Sequence, residues 1–417
     1  MLKKIVSSYK VFGDKKYKMF FLLYFSFFLT NGALEDSFPL LISYLGFSES
    51  DYGVFLSIVA FTSVFAPMTI SLASRKFGYY TMGITGVLLG FSGALLIGIG
   101  NFQSLTFFLF AYFLFLSRLI FNFSIGNKIN SNINEDNRSK FFSLRDLFLY
   151  GSISIGLIAG GFVVNQFTFS ALYTFFSFLA LMPCVVILQM KRKKVLEDTT
   201  GGALDGCAEN TKDSLSDEDS SNNKKKKQGQ TKLLFKQKAF WGFILINLFS
   251  SFYLISVRFV PILGLSLGID VSNFMTIIGI MTLINAVGGV ILGYFFEKGR
   301  KLVFVADMVI NLIPAILFAF TQSVVIFMIA YTITTLKGML SPISFAYFFD
   351  CFSEDDAPIA LGLISSIESA TDMITPIIIG VLWVTSHRLV FAIGAIGIVT
   401  ACIVAWVLLP SKSVVSE

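Results

Sequence analysis

Residues 37–47 read SFPLLISYLGF, and residues 259–269, 222 positions further on, read FVPILGLSLGI. Laid over each other, Pro39-Leu40-Leu41 meets Pro261-Ile262-Leu263, and Leu45-Gly46 meets Leu267-Gly268. The register persists, with Ser71 falling on Gly293 and Lys76 on Lys298. One offset that holds across two apolar stretches and the loop between them marks a duplicated unit.

Both copies are built for lipid. Of 417 residues 55% are apolar, 48 are Phe and only 14% are charged, against about a quarter charged in a soluble domain. A hydrocarbon core about 30 Å thick takes about 20 apolar helical residues to cross. Stretches of that length lie near 19–42, 52–72, 80–100, 104–125, 141–164 and 167–190. A second set lies near 239–262, 273–296, 302–321, 324–348, 358–384 and 388–409. Runs this long exclude the alternating strands of a membrane barrel. The sequence therefore predicts an all-α membrane protein, with twelve transmembrane helices in two pseudo-symmetric six-helix bundles. Residues 1–191 are the N-terminal bundle, 192–237 a linker and 238–417 the C-terminal bundle. The basic opening, MLKKIVSSYKVFGDKKYK, resembles the front of a signal peptide, but no small-residue cleavage site follows it. The first span is expected to be retained.

Lys and Arg set the orientation. Of 32 such residues, 27 fall in the two tails and the alternate loops on one side, and only Arg388 falls in a loop on the other. Arg118, Arg145, Arg258 and Lys337 lie within or just inside spans. The positive-inside rule then predicts a multi-pass protein of the cell membrane with both termini cytoplasmic. The pI near 9.0 is thereby a topology signal, and no nucleic-acid partner is expected. The linker, EDTTGGALDGCAENTKDSLSDEDSSNNKKKKQGQTK, has too little apolar surface to offset its ordering entropy, so it is expected to be flexible. Its four lysines at 224–227 are either a solvated tether or a contact for anionic headgroups. The cysteines Cys184, Cys207, Cys351 and Cys402 stand at no metal-ligand spacing, so neither zinc nor a disulfide framework is expected.

Two six-span copies that begin on the same side form a parallel repeat about an axis along the membrane normal, as in transporters with a site between two bundles. Over essentially its whole length the chain resembles the major facilitator superfamily. That family's loop between spans two and three reads Gly-x-x-x-Asp-Arg-x-Gly-Arg-Arg. Here it is Ser71-x-x-x-Arg75-Lys76-Phe77-Gly78-Tyr79-Tyr80, with the first glycine lost and the acidic charge reversed. The second-half copy is Gly293-x-x-x-Glu297-Lys298, followed one residue early by Gly299-Arg300-Lys301. Arg118 matches a basic residue of the family's fourth span. Gly156-x-x-x-Gly160-Gly161 resembles the glycine pattern of its antiporters, without the usual proline. The resemblance implies alternating access and a monomer. It also sets the loop's acidic position against the start of span eleven, which here carries Glu354, Asp355 and Asp356 opposite Arg75. By pseudo-symmetry Glu297 faces Arg138 and Lys140. With Lys76, Gly78 and Lys298 these residues form an expected cytoplasmic gate of exposed pairs, at about 0–1 kcal/mol each.

Charge inside the membrane points to the site. An ionisable group at the bilayer centre costs about 2.5–3.5 kcal/mol even on lenient scales, and those that persist usually serve function. The chain keeps Glu35 and Asp36 in span one, Arg118 in span four, and Arg145 and Asp146 in span five. It also keeps Arg258 in span seven, Lys337 in span ten, and Glu368 and Asp372 in span eleven. Asp36 is related to Arg258, and Asp146 to Glu368, by the 222 offset. Glu368 and Asp372, four apart, share a helix face. Three roles are open to these groups: structural pairs such as Asp36 with Arg258, contacts to a solute, or carboxylates that carry a coupling proton, for which Glu368 and Glu35 come first. The lone histidine, His387, lies in an external loop. Asp307, Glu49 and Asp51 are expected to be solvated, and most Phe side chains to face lipid. Glycines 83, 86, 90 and 93 fit close helix packing.

No GxxxxGK[ST] loop, HExxH motif or membrane Ser/His pair occurs, so neither ATP drive within the chain nor an enzyme is expected. The predicted partners are a small-molecule substrate, protons and the lipid bilayer, with no cofactor. The leading expectation is proton-coupled export of a drug or metabolite by antiport, which the span-five glycines favour. The alternative is symport of a zwitterionic or anionic solute, favoured by charges of both signs. A membrane sensor that binds without transporting is the remote third.

Overall fold

The computed structural model describes residues 13, 15–100, 104–131, 135–193, 195, 234–295, 300–352 and 357–410. Twelve helical rods run through them. In the first half α1 comprises Lys15–Phe27, Phe28–Gly32 and Ala33–Tyr44. It is followed by α2 (Glu49–Phe77), α3 (Tyr79–Ile99), α4 (Ser104–Phe121, Asn122–Gly126, Asn127–Ser131), α5 (Glu135–Gln166) and α6 (Phe169–Leu179, Met182–Arg192). The second half has α7 (Lys238–Ser256, Val257–Phe259, Val260–Ser266), α8 (Val271–Phe295) and α9 (Arg300–Phe320). It ends with α10 (Val324–Lys337, Gly338–Leu340, Ser341–Asp350), α11 (Ala357–Thr385) and α12 (His387–Leu408). Among the described residues ten helices are long and apolar enough to cross a membrane, and Val324–Leu340 is a shorter apolar one. No strand occurs among the described residues. Most of the linker, 196–233, lies outside them.

The duplication is visible in atoms. Gly46 and Gly268 both adopt positive φ, 75° and 86°, a conformation that glycine takes without steric cost. Beyond them Phe47 N–H donates to Ile42 O at 3.1 Å, and Ile269 N–H donates to Gly264 O at 3.2 Å. These long return bonds satisfy carbonyls that the end of a helix leaves open. Every residue in one turn is 222 positions from its counterpart in the other. The copies differ at the rods' centres. In α1 and α4 the interruptions are wide π turns, Phe28–Gly32 and Asn122–Gly126. In α7 and α10 they are tight 3-10 turns, Val257–Phe259 and Gly338–Leu340.

Lipid tails are as apolar as a side chain, so close fit and dispersion must hold such helices together. Phenylalanine supplies much of that fit, a correction to its expected role at the lipid surface. Phe20, Phe28, Phe38, Phe121, Phe259 and Phe274 are almost wholly buried. Phe27 of α1 stacks on Phe121 of α4 with ring centroids 3.9 Å apart. Along α3 the glycines admit α4 as expected: a Cβ at Gly90 would sit 2.6 Å from Ser117 Oγ, and one at Gly93 2.6 Å from Phe110 O.

The bundles interlock on the face away from the two chain ends. There α2 crosses α11 and α5 crosses α8. A Cβ at Gly53 would collide with Pro376 O, and one at Gly380 would lie 2.7 Å from Glu49 O. On the other seam a Cβ at Gly161 would lie 2.8 Å from Ser272 O, and one at Gly279 2.9 Å from Ser154 O. Tyr52 of α2 meets Phe259 of α7 edge-on at 5.0 Å. Backbone against backbone leaves no room for a side chain at these crossings. Gly53→Val is therefore expected to part α2 from α11. A cysteine placed at Ser50 should react with an impermeant maleimide several-fold faster in that variant; an unchanged rate would remove Gly53 from the closure.

Candidate functional site

The N-terminal bundle holds a closed ion pair. Arg118 Nη1 of α4 lies 2.6 Å from Glu35 Oε2 of α1, with the Glu35 side chain 4% exposed and the Arg118 side chain 38%. Asn31 Nδ2 donates to the other Glu35 oxygen at 3.3 Å and to Leu114 O at 3.4 Å. The Arg118 guanidinium also sits over the Phe28 ring, 5.5 Å from its centroid. Both wide turns flank this pair, and Asn31 lies inside the first of them. Asn31 Oδ1 and Ser117 Oγ are buried without a hydrogen-bond partner. Asp36, the next residue to Glu35, is only half-buried. The charges of Asp36 and Arg118 both act on Tyr150 of α5, and that of Asp36 also acts on Tyr331 of α10.

In the C-terminal bundle Arg258 Nη2 of α7 lies 3.5 Å from Asp372 Oδ2 of α11. Arg258 is thus paired within its own bundle and not with Asp36, the structural pair that was one of the three roles open to these groups. Symmetry makes those two positions equivalent but keeps them on opposite bundles, and both charges act instead on Tyr52 between them. Asp146 is held by its own neighbour, with Arg145 Nη2 2.6 Å from Asp146 Oδ1.

Inside the same bundle lies a cavity of about 350 Å³ between α7, α9, α10, α11 and α12. Lys337 and Glu368 line it, as does Asp307, which sequence reasoning assigned to solvent. Asp307 is in fact buried, 9% exposed. Ser344 Oγ donates to its Oδ2 at 3.3 Å, while its Oδ1 has no partner. Asn311 Nδ2, one turn along α9, donates to Asp307 O at 3.1 Å. The missed signal is the spacing of Asp307 and Asn311 in an otherwise apolar run, which sets both on one helix face.

The expected gate is only partly within the described residues. Arg75 and Lys76 are exposed at the end of α2, where Gly78, at φ 89°, turns the chain into α3. Arg138 lies in α5, whereas Glu297, Lys298, Glu354, Asp355 and Asp356 are outside the described residues. Among the described residues no three His, Cys, Asp or Glu side chains gather as a metal site.

Two overlapping matches to the family model described as Major Facilitator Superfamily cover residues 19–304 and 251–417. The chain belongs to that superfamily. Solved structures agree on the fold. The nucleoside transporter NupG superposes with a TM-score of 0.72 at 13% identity, over 95% of this chain and 99% of its own. A D-xylose–proton symporter gives 0.66 at 13% identity, over 94% and 96%. A bacterial homologue of the human lysosomal transporter Spinster, inward-facing and occupied, gives 0.64 at 10%, over 94% and 95%. No curated protein sequence matches the chain. The superfamily fold is that of a multi-pass membrane transporter, and the glycines that resembled an antiporter pattern have a packing role in it. A Cβ at Gly156 would strike Leu29 O of α1, and one at Gly160 would lie 2.9 Å from Met275 Cε of α8.

Removing one member of a buried ion pair strands the other. Because Arg118 is partly exposed, the cost is discounted to about 1–3 kcal/mol. Arg118→Gln is expected to lower the thermal midpoint of the purified protein. Adding Glu35→Gln should restore part of the loss, and strict additivity of the two would show that the pair is not coupled.

Proposed function

We propose that the chain moves a small, polar, charged or zwitterionic solute across a cell membrane by alternating access, in symport with protons. The observation that carries this reading is the set of acids and bases retained within the spans of both bundles. Glu35, Asp36, Arg118 and Asp146 belong to the first half, and Arg258, Lys337, Glu368 and Asp372 to the second. Groups so costly to hold in a membrane are kept where a solute or an ion meets them, and charges of both signs suit a solute that carries charge itself. Antiport of a drug or metabolite, towards which the span-five glycines lean, is the second reading. Carboxylates are the groups to carry the proton, with Glu368 and Glu35 first: burial disfavours a carboxylate's charged form, so it can exchange a proton as its surroundings change.

The distribution of Lys and Arg supports cytoplasmic tails, which makes the interlocked face the external one and this conformation the one shut to the outside. The cytoplasmic gate then pairs Arg75 with the acids at 354–356, and Glu297 with Arg138, with Lys76, Gly78 and Lys298 shaping its two loops. The chain works as a monomer in this reading. The test is proton movement in liposomes holding the purified protein and an internal pH dye. Amino acids, dipeptides, carboxylates, nucleosides, sugars and lipophilic cations would be added outside one at a time. Symport predicts internal acidification by at least one solute, abolished in Glu368→Gln or Glu35→Gln while solute exchange survives. Internal alkalinisation would make it an antiporter, and no response to any solute would sink the transporter reading.

A further inference from the structure

The cavity of the C-terminal bundle has a chemistry of its own. Its charged lining is Asp307 and Glu368 against Lys337, one more acid than base. Asp372 does not alter that balance, because it is paired with Arg258. Lys337 is near enough for its charge to act on Asp307, and Asp307 keeps one carboxylate oxygen without a hydrogen-bond partner. Asn247 and Asn311 add amides to the lining. Ser250, Tyr253, Ser344 and Ser365 add hydroxyls, and the remaining lining is apolar, including Phe243, Phe304 and Phe348. Phe243 lies edge-on to both other rings, at 5.7 and 5.0 Å.

Size limits the occupant. A water takes about 30 Å³ of liquid volume, so about 350 Å³ is far more space than a proton or a bare ion requires. It falls at the small end of the roughly 300–1,000 Å³ of organic-ligand pockets. The surplus acid calls for a cation, the lysine for an anion and the aromatic rings for an apolar body.

We propose that this cavity binds an α-amino acid with a large apolar side chain, its ammonium on Asp307, its carboxylate on Lys337 and its side chain against Phe243, Phe304 and Phe348. The assignment rests on the transporter reading above and names the solute class for it.

Equilibrium binding of L-phenylalanine to the purified full-length chain tests it, with phenethylamine, which lacks the carboxylate, and 3-phenylpropionate, which lacks the ammonium, as competitors. L-phenylalanine should bind at least tenfold more tightly than either. This comparison uses the unaltered chain, so it does not depend on any variant folding. Asp307→Asn should then weaken L-phenylalanine and phenethylamine at least tenfold and leave 3-phenylpropionate unchanged, and Lys337→Met should do the reverse. The assignment is overturned if L-phenylalanine does not bind, if either truncated competitor equals it, or if Asp307→Asn leaves its affinity unaltered. The liposome panel keeps the two readings apart. Proton movement with other solutes but no L-phenylalanine binding would remove the amino acid and keep the transporter. Binding without movement of any solute would keep the pocket and remove the transporter.

Discussion

In hydrocarbon an unpaired backbone amide or carbonyl costs several kcal/mol, so a chain must satisfy its hydrogen bonds within each helix as it crosses. The rest of this structure is arranged around that constraint. Rods with satisfied backbones have little reason to associate in lipid beyond close fit, and close fit here takes two forms. Glycine allows backbone to meet backbone where α2 crosses α11 and α5 crosses α8. Phenylalanine fills the space where rods stand further apart, as between α1 and α4. Charged groups then have to be housed inside the bundles, because the lipid surface does not solvate them.

The sequence was most informative where period and punctuation carry the signal. The spans, the 222-residue repeat and the paired turn glycines Gly46 and Gly268 were all legible, because backbone geometry restricts which residues can stand there. Partnership was much less so. The repeat equates Asp36 with Arg258, yet a rotation axis between the bundles places equivalent residues on opposite sides of it, each with neighbours from its own half. Arg258 consequently finds Asp372. Asp307 was misjudged because its position near a helix end suggests solvent, whereas the helices around α9 cover it. Asn31 escaped notice for a different reason: an uncharged amide in a membrane span draws less attention than an acid, although it holds the Glu35 carboxylate from the side opposite Arg118.

The two halves treat charge differently. In the first, acid and base meet at 2.6 Å and an amide completes the set. In the second, two acids and a lysine border empty space while a further pair sits beside them at 3.5 Å. A closed pair resists change, since separating it exposes both charges. An open set can trade partners at lower cost as something enters or leaves.

The wide turns in α1 and α4 and the tight turns in α7 and α10 bear on the ancestry of the fold. A π turn accommodates an extra residue and a 3-10 turn fewer than the regular helix, so each advances the following side chains by a different angle. The halves keep the 222-residue register at the turns that follow α1 and α7, while the second half runs one residue early at Gly299. An artificial protein built from two copies of the first half would inherit matching loops and mismatched interiors. The two halves share a scaffold, yet they interrupt their rods with turns of different pitch.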